Sequence, residues 1–132
     1  MSIDAMLRHL HKRDIGEPCL LHLRLATHGS VKKANCHPFR DDATDTWFMH
    51  NGILNIRPKG DMTDSETAFR EILAPELVYG LHSDGLRYAV KQIIGNSRFA
   101  FMQGNDVMLY GQYEKWQGCW FSNLRFTYRL FY

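Results

Sequence analysis

The spacing of apolar residues changes period three times along the chain, and that switching limits the folds open to it. From Cys19 to His28 apolar and polar residues alternate from Leu21 on, the pattern of a half-buried strand. Gly29 breaks it, and the polar stretch 30–45 reads as a loop. Trp47 to His50 reads as a short strand running into the turn Asn51-Gly52. Ile53 to Ile56 is its expected hairpin partner, because Asn-Gly favours a tight turn between strands. The period then becomes helical. Thr63-Asp64-Ser65-Glu66 has the spacing of a capping box, and Ala68, Phe69, Ile72 and Leu73 form an apolar stripe behind it. That helix is expected to stop at about Ala74, before Pro75. A second helix is predicted over 83–94, with Gly95-Asn96 as its cap. Strand signals return at 98–102 and 107–111 around Gly104-Asn105, at Trp120-Phe121, and over 125–132. Upstream, Ile3, Met6, Leu7 and Leu10 predict a short amphipathic helix over 2–13, ended by Gly16 and Pro18. Helix, strands, two helices, strands is the order of an α+β fold, and 132 residues suffice for a single domain.

Charge and cysteine usage narrow the function classes. Sixteen basic residues against fourteen acidic leave a formal charge of +2, too little to call for nucleic acid or an anionic membrane. The tail 125–132 interleaves basic and aromatic residues, but alternation over a strand explains it better than base stacking does. No apolar run is long enough for a leader or a membrane span. Three cysteines, Cys19, Cys36 and Cys119, are an odd number without a CxxC pair, which points to a reducing cytoplasm. All three are expected to be buried structural thiols. Seven histidines occur without HxxxH spacing, so neither a metal nor a cofactor is expected.

Polar residues stand three times where a strand hands over to a loop. Arg24 heads Arg24-Leu-Ala-Thr27-His28-Gly29 and is suited to fork onto a carboxylate. His50-Asn51-Gly52 can offer a side-chain amide and a backbone N–H to an oxyanion. Asp64 can hold an ammonium group. Each has a plain structural explanation when taken alone: an Arg ion pair, a hairpin turn, a carboxylate in a first helical turn.

Taken in order, with Asn35-Cys36-His37-Pro38-Phe39 between the first two, the motifs resemble the type-2 glutamine amidotransferase domain of the N-terminal-nucleophile hydrolases. The resemblance covers about residues 20–70. It implies an αββα sandwich and hydrolysis of glutamine to glutamate and ammonia, for transfer to an acceptor. Arg24 then binds the α-carboxylate of glutamine, with Thr27 and His28 on the same wall. Asn51 and Gly52 form the oxyanion hole, and Asp64 takes the α-ammonium. Glutamine or a similar amino acid is the expected ligand, with a synthase partner or a second copy of the chain beside it.

The family's nucleophile is an N-terminal cysteine on an opening strand, whereas Ser2 here opens a helix. The 1–132 domain is therefore expected to be N-terminally incomplete, missing first strands of the sandwich, and inactive as given. Ser2 and Cys36 are weak candidate nucleophiles. The alternative is a non-catalytic binding or regulatory protein on the same fold.

Overall fold

In the computed structural model of the chain, residues 8, 11–12, 16–22 and 36–124 are described. Four antiparallel strands form one sheet in the order β1-β2-β3-β4: β1 Phe39–Asp41, β2 Thr46–Asn51, β3 Arg98–Gln103 and β4 Asp106–Tyr110. Between β2 and β3 the chain makes helices α1 (Asp64–Ala68), α2 (Ala74–Leu77) and α3 (Asp84–Ile93). A separate hairpin, β5 Glu114–Trp116 with β6 Cys119–Phe121, follows. Mixed helices and antiparallel sheets give an α+β architecture. Among the described residues no helix is long and apolar enough to cross a membrane.

Strand alternation decides which side chains meet the helices. Phe48 of β2 lies opposite Phe101 of β3, and His50 opposite Phe99. These side chains share one sheet face with Thr46, and all five are buried. Phe69 from the helical segment stacks on Phe48, with ring centroids 5.0 Å apart and planes 3° from parallel. Phe39 of β1, Leu73, Leu77, Leu86 and Val90 complete the same core. On the far face, Met49 opposes Ala100, and both are also buried.

The helix starts follow the sequence. Thr63 Oγ1 accepts the Glu66 amide at 3.1 Å, and Ser83 Oγ accepts the Leu86 amide at 3.2 Å. The first helix does not stop at Ala74. Phe69–Leu73 widens into a π-type turn in which the Ala74 amide bonds the Phe69 carbonyl, and the chain runs on through Pro75 to Leu77. Proline lacks an N–H and its ring crowds the carbonyl four residues earlier. A wide turn placed before it lets the helical path continue where a regular α-turn would clash.

Two further expectations change. The loop expected over 30–45 contains β1, paired with β2 through Phe39 and Phe48. Asn51-Gly52 is not a hairpin turn, and Ile53 to Ile56 form no strand. Both edges of β2 are already taken, by β1 and β3, so no ladder remains for a third partner. The β3–β4 hairpin stands where expected, with Gly104 at φ +56°. So does the helix stop at Gly95, φ +51°.

The thiols of Cys19, Cys36 and Cys119 are exposed rather than buried. Cys119 lies on a two-stranded ribbon too small to bury both faces. His37, half-buried, packs its ring against Phe39 with centroids 4.7 Å apart, while the adjacent Cys36 stays exposed on the bend before β1. Of the helix expected over 2–13 only Arg8, His11 and Lys12 are described. Of the strand expected at Cys19 to His28, the described part up to His22 is irregular, and 125–132 lies outside the described residues.

Phe48→Ala is expected to cost about 3–5 kcal/mol in urea unfolding, since no neighbour can refill a ring stacked between β3 and Phe69. Val78→Ala, at an exposed position, is expected to stay within about 0.5 kcal/mol. Equal losses in the two variants would contradict this core.

Candidate functional site

The chain leaves the sheet at Asn51 and re-enters it at Arg98, and these two residues are paired across β2 and β3. The turn after β2 is thereby pressed against the residue before β3. Gly52 has φ +135°, and a β-carbon there would overlap Ser97 Oγ and press on Ser97 Cα. Ser97 cannot yield easily. It is buried, its Oγ donates to the Ile53 carbonyl at 3.1 Å, and its amide donates to the Ile94 carbonyl at 2.8 Å. Glycine alone meets both the backbone angle and the close approach. Asn51, Gly52 and Ile53 stay exposed, whereas Leu54 turns into the core.

Asp64 fastens this turn to α1. Its Oδ2 accepts the Leu54 amide at 3.2 Å. Its Oδ1 accepts the Ser65 amide at 2.8 Å and the Ser65 hydroxyl at 3.3 Å. A carboxylate offers about four acceptor positions, so one on Oδ2 remains for a donor from outside. Farther along, Thr67 Oγ1 accepts the Lys59 amide at 3.0 Å, laying the irregular segment along the helix without strand pairing.

Behind the turn sits His50, 4% exposed, with Nδ1 2.7 Å from Ser65 Oγ. Among the described residues its Nε2 is buried and has no hydrogen-bond partner. Desolvation pushes its pKa down from 6.5 to about 4, against the pull of the Asp64 carboxylate and with a smaller push from His22. The ring is therefore neutral at pH 7. His22 Nε2–H donates to the His50 carbonyl at 3.0 Å, and the His22 ring lies 4.3 Å from that of His37. Among the described residues no group of three or more His, Cys, Asp or Glu side chains is placed to hold a metal ion.

Asn51, Gly52 and Asp64 are thus brought to one end of the sheet. Arg24, Thr27, His28 and Ser2 lie outside the described residues, as does Asn35. The contact of its ring with the His50 carbonyl brings His22 to this same end. Ser65, Ser97 and the buried role of His50 were not assigned from the sequence. Alternation with Phe48 carried the signal for His50, since it places the ring on the core face. Ser97 had none, because its contact with Gly52 bridges all three helices.

Two outcomes follow from this geometry. Gly52→Ala is expected to lower stability by about 1–3 kcal/mol, and Ser97→Ala in the same chain to restore only part, because the backbone strain remains. An unchanged melting temperature for Gly52→Ala would deny the close approach. The second concerns pH. The unfolded chain protonates His50 near 6.5 and the folded chain only near 4, so stability falls as pH drops through that window, by about 1.4 kcal/mol per unit. His50→Asn is expected to remove that part of the slope in urea titrations between pH 7 and 4.5. An unaltered slope would mean that His50 takes its proton as readily folded as unfolded.

Comparison with known proteins bears on what such a site does. Residues 4–93 match the family described as glutamine amidotransferases class-II. A stretch of 36 residues is 42% identical to putative glutamine–fructose-6-phosphate aminotransferases [isomerizing] of Saccharomyces cerevisiae, among them those of strains S288c, Lalvin EC1118 and YJM789. It makes up 26% of this chain but only 14%, 12% and 5% of those three proteins. No solved structure matches the chain.

Proposed function

This chain belongs to the class-II glutamine amidotransferases, and from that premise we propose that its 132 residues form one glutamine-binding domain of the kind that hydrolyses glutamine to glutamate and ammonia once a nucleophile attacks the bound amide. The observation that carries the reading is Asp64. It is half-buried, held by three donors, and left with one open acceptor position next to the turn that bears Asn51 and Gly52. A free amino acid is a zwitterion, and its ammonium fits that position. Arg24 takes the opposite charge, the α-carboxylate, through two parallel hydrogen bonds, and Thr27 and His28 line the same wall. A pocket that pairs both charges rejects analogues lacking either, because its own charges are then left unpaired.

With the zwitterion so held, the side-chain amide of glutamine lies along the turn after β2. Attack on the amide carbon moves negative charge to its oxygen, and the Asn51 side-chain N–H and Gly52 amide are the donors that stabilise it. Exposure of both residues leaves them open to a ligand. The close contact of Gly52 with Ser97 holds the turn rigid, so that the donors need no reorganisation. Collapse of the tetrahedral species, with the nucleophile's proton passed to the leaving nitrogen, expels ammonia and leaves the glutamyl group on the nucleophile; water then hydrolyses that acyl bond, releasing glutamate and returning the nucleophile with its proton. The sheet with its helical layer is read as one α/β half of an αββα sandwich, with Met49 and Ala100 facing the other half. Ammonia passes to an acceptor on a synthase partner, of which the names of the yeast relatives suggest a sugar phosphate as one kind.

The test is titration of the purified chain with L-glutamine by calorimetry, together with an assay for released glutamate and ammonia. Arg24→Ala and Asp64→Asn are each expected to weaken binding about 10-fold or more, as lost charged hydrogen bonds do. Turnover lost with Arg24→Ala would direct the search for the nucleophile to Ser2 and Cys36. Binding without turnover would favour a binding or regulatory role. No binding at all would overturn the glutamine reading.

A further inference from the structure

The recognition just described uses Asp64 but leaves unexplained the buried imidazole behind it. We propose that His50 is a positioning residue for ammonium recognition: through Ser65 it occupies Asp64 Oδ1, so that Oδ2 is the oxygen presented to the ligand. This role rests on the glutamine reading.

Proton counting carries the inference. The Ser65 hydroxyl has one proton and lies 2.7 Å from His50 Nδ1 and 3.3 Å from Asp64 Oδ1. A carboxylate only accepts, so a bond to Oδ1 consumes the hydroxyl proton, and Ser65 Oγ must then accept from Nδ1–H. In the opposite arrangement the hydroxyl donates to Nδ1. That costs the bond to Asp64 and leaves a buried Nε2–H with no acceptor among the described residues. The first arrangement satisfies one more group. It assigns His50 as a neutral ring carrying its proton on Nδ1, with Nε2 a bare lone pair, in a pocket where the ring packs edge-on with Phe99, centroids 5.5 Å apart. Burial, which keeps the ring uncharged, also keeps a second cation away from the carboxylate meant for the ligand.

Two consequences separate this role from simple packing. The defect in a His50 variant concerns the ammonium end of the ligand alone. It is also repaired by any side chain with an N–H where Nδ1 stands. Asparagine places its amide nitrogen there, and phenylalanine fills the space without a donor.

The full-length chain is titrated by calorimetry with L-glutamine and with 4-carbamoylbutanoate, which is glutamine without its α-amino group. His50→Phe is expected to weaken glutamine about 10-fold and to change the deaminated analogue by less than about 2-fold, and His50→Asn to return glutamine to within about 3-fold of the parent. Equal weakening of both ligands, or none of either, overturns the role. Should His50→Phe fail to fold, Ser65→Ala cuts the same relay at the hydroxyl and is expected to show the same selectivity. Nitrogen spectra of the 15N-histidine-labelled parent chain give a readout that needs no ligand: a protonated Nδ1 and bare Nε2 at His50 are expected, and the reverse tautomer overturns the relay. A parent chain that takes up no glutamine, yet shows the expected tautomer, places the failure in the glutamine reading rather than in the relay.

Discussion

Asp64 joins two parts of the chain that have no strand pairing to hold them together. Its carboxylate receives the Leu54 amide from the turn after β2 and the Ser65 amide from the start of α1. The segment between is irregular, so its backbone donors need side-chain acceptors, and Thr67 supplies another. Without this tie the turn bearing Asn51 and Gly52 would be held only at its strand end and by the Ser97 hydroxyl on the Ile53 carbonyl. The same carboxylate serves the fold and the proposed site, which explains why three of its acceptor positions are filled and one is open.

Around that tie the sheet acts as a rigid support. β2 is held on both edges, and its Phe48 is stacked on Phe69 of the helical layer. A strand so confined ends at a defined place. The return of the chain at Ser97 then closes on Gly52 and leaves no room for a β-carbon. In the proposed oxyanion hole, donors presented by such a turn are set before a ligand arrives, and electrostatic stabilisation of an oxyanion depends on that preorganisation. Burial of His50 adds an uncharged wall behind the site, where an ionised imidazole would compete with a ligand's ammonium for the Asp64 carboxylate.

Local signals in the sequence were sound where the controlling physics was local. Thr63 and Ser83 cap helices because their hydroxyls reach amides three residues on. Gly95 ends a helix and Gly104 turns a hairpin because each adopts a positive φ without a side-chain clash. The reading of Asn51-Gly52 as a hairpin turn failed for a non-local reason. Dipeptide preference assumes a free strand edge, and β3, from far along the chain, had already taken it. The stop expected at Pro75 failed because helices packed on a sheet gain enough from burying Phe69, Leu73 and Leu77 to keep a widened turn. Expectation of buried thiols failed at Cys119 because the β5–β6 ribbon has too little surface to enclose it.

The order of the motifs by itself pointed to the family that residues 4–93 match and supplied Asn51, Gly52 and Asp64 as the residues of the proposed site, because residue type and spacing are what such motifs carry. It also determined the helix starts and the β3–β4 hairpin, which depend on contacts within a few residues. Only the tertiary structure decided that Leu54 and Ser65 share the Asp64 carboxylate, that Ser97 closes on Gly52, and that His50 is buried and uncharged. Those facts depend on which distant segments are packed side by side. Dielectric and steric exclusion are properties of that packing, and no local spacing of residues encodes them.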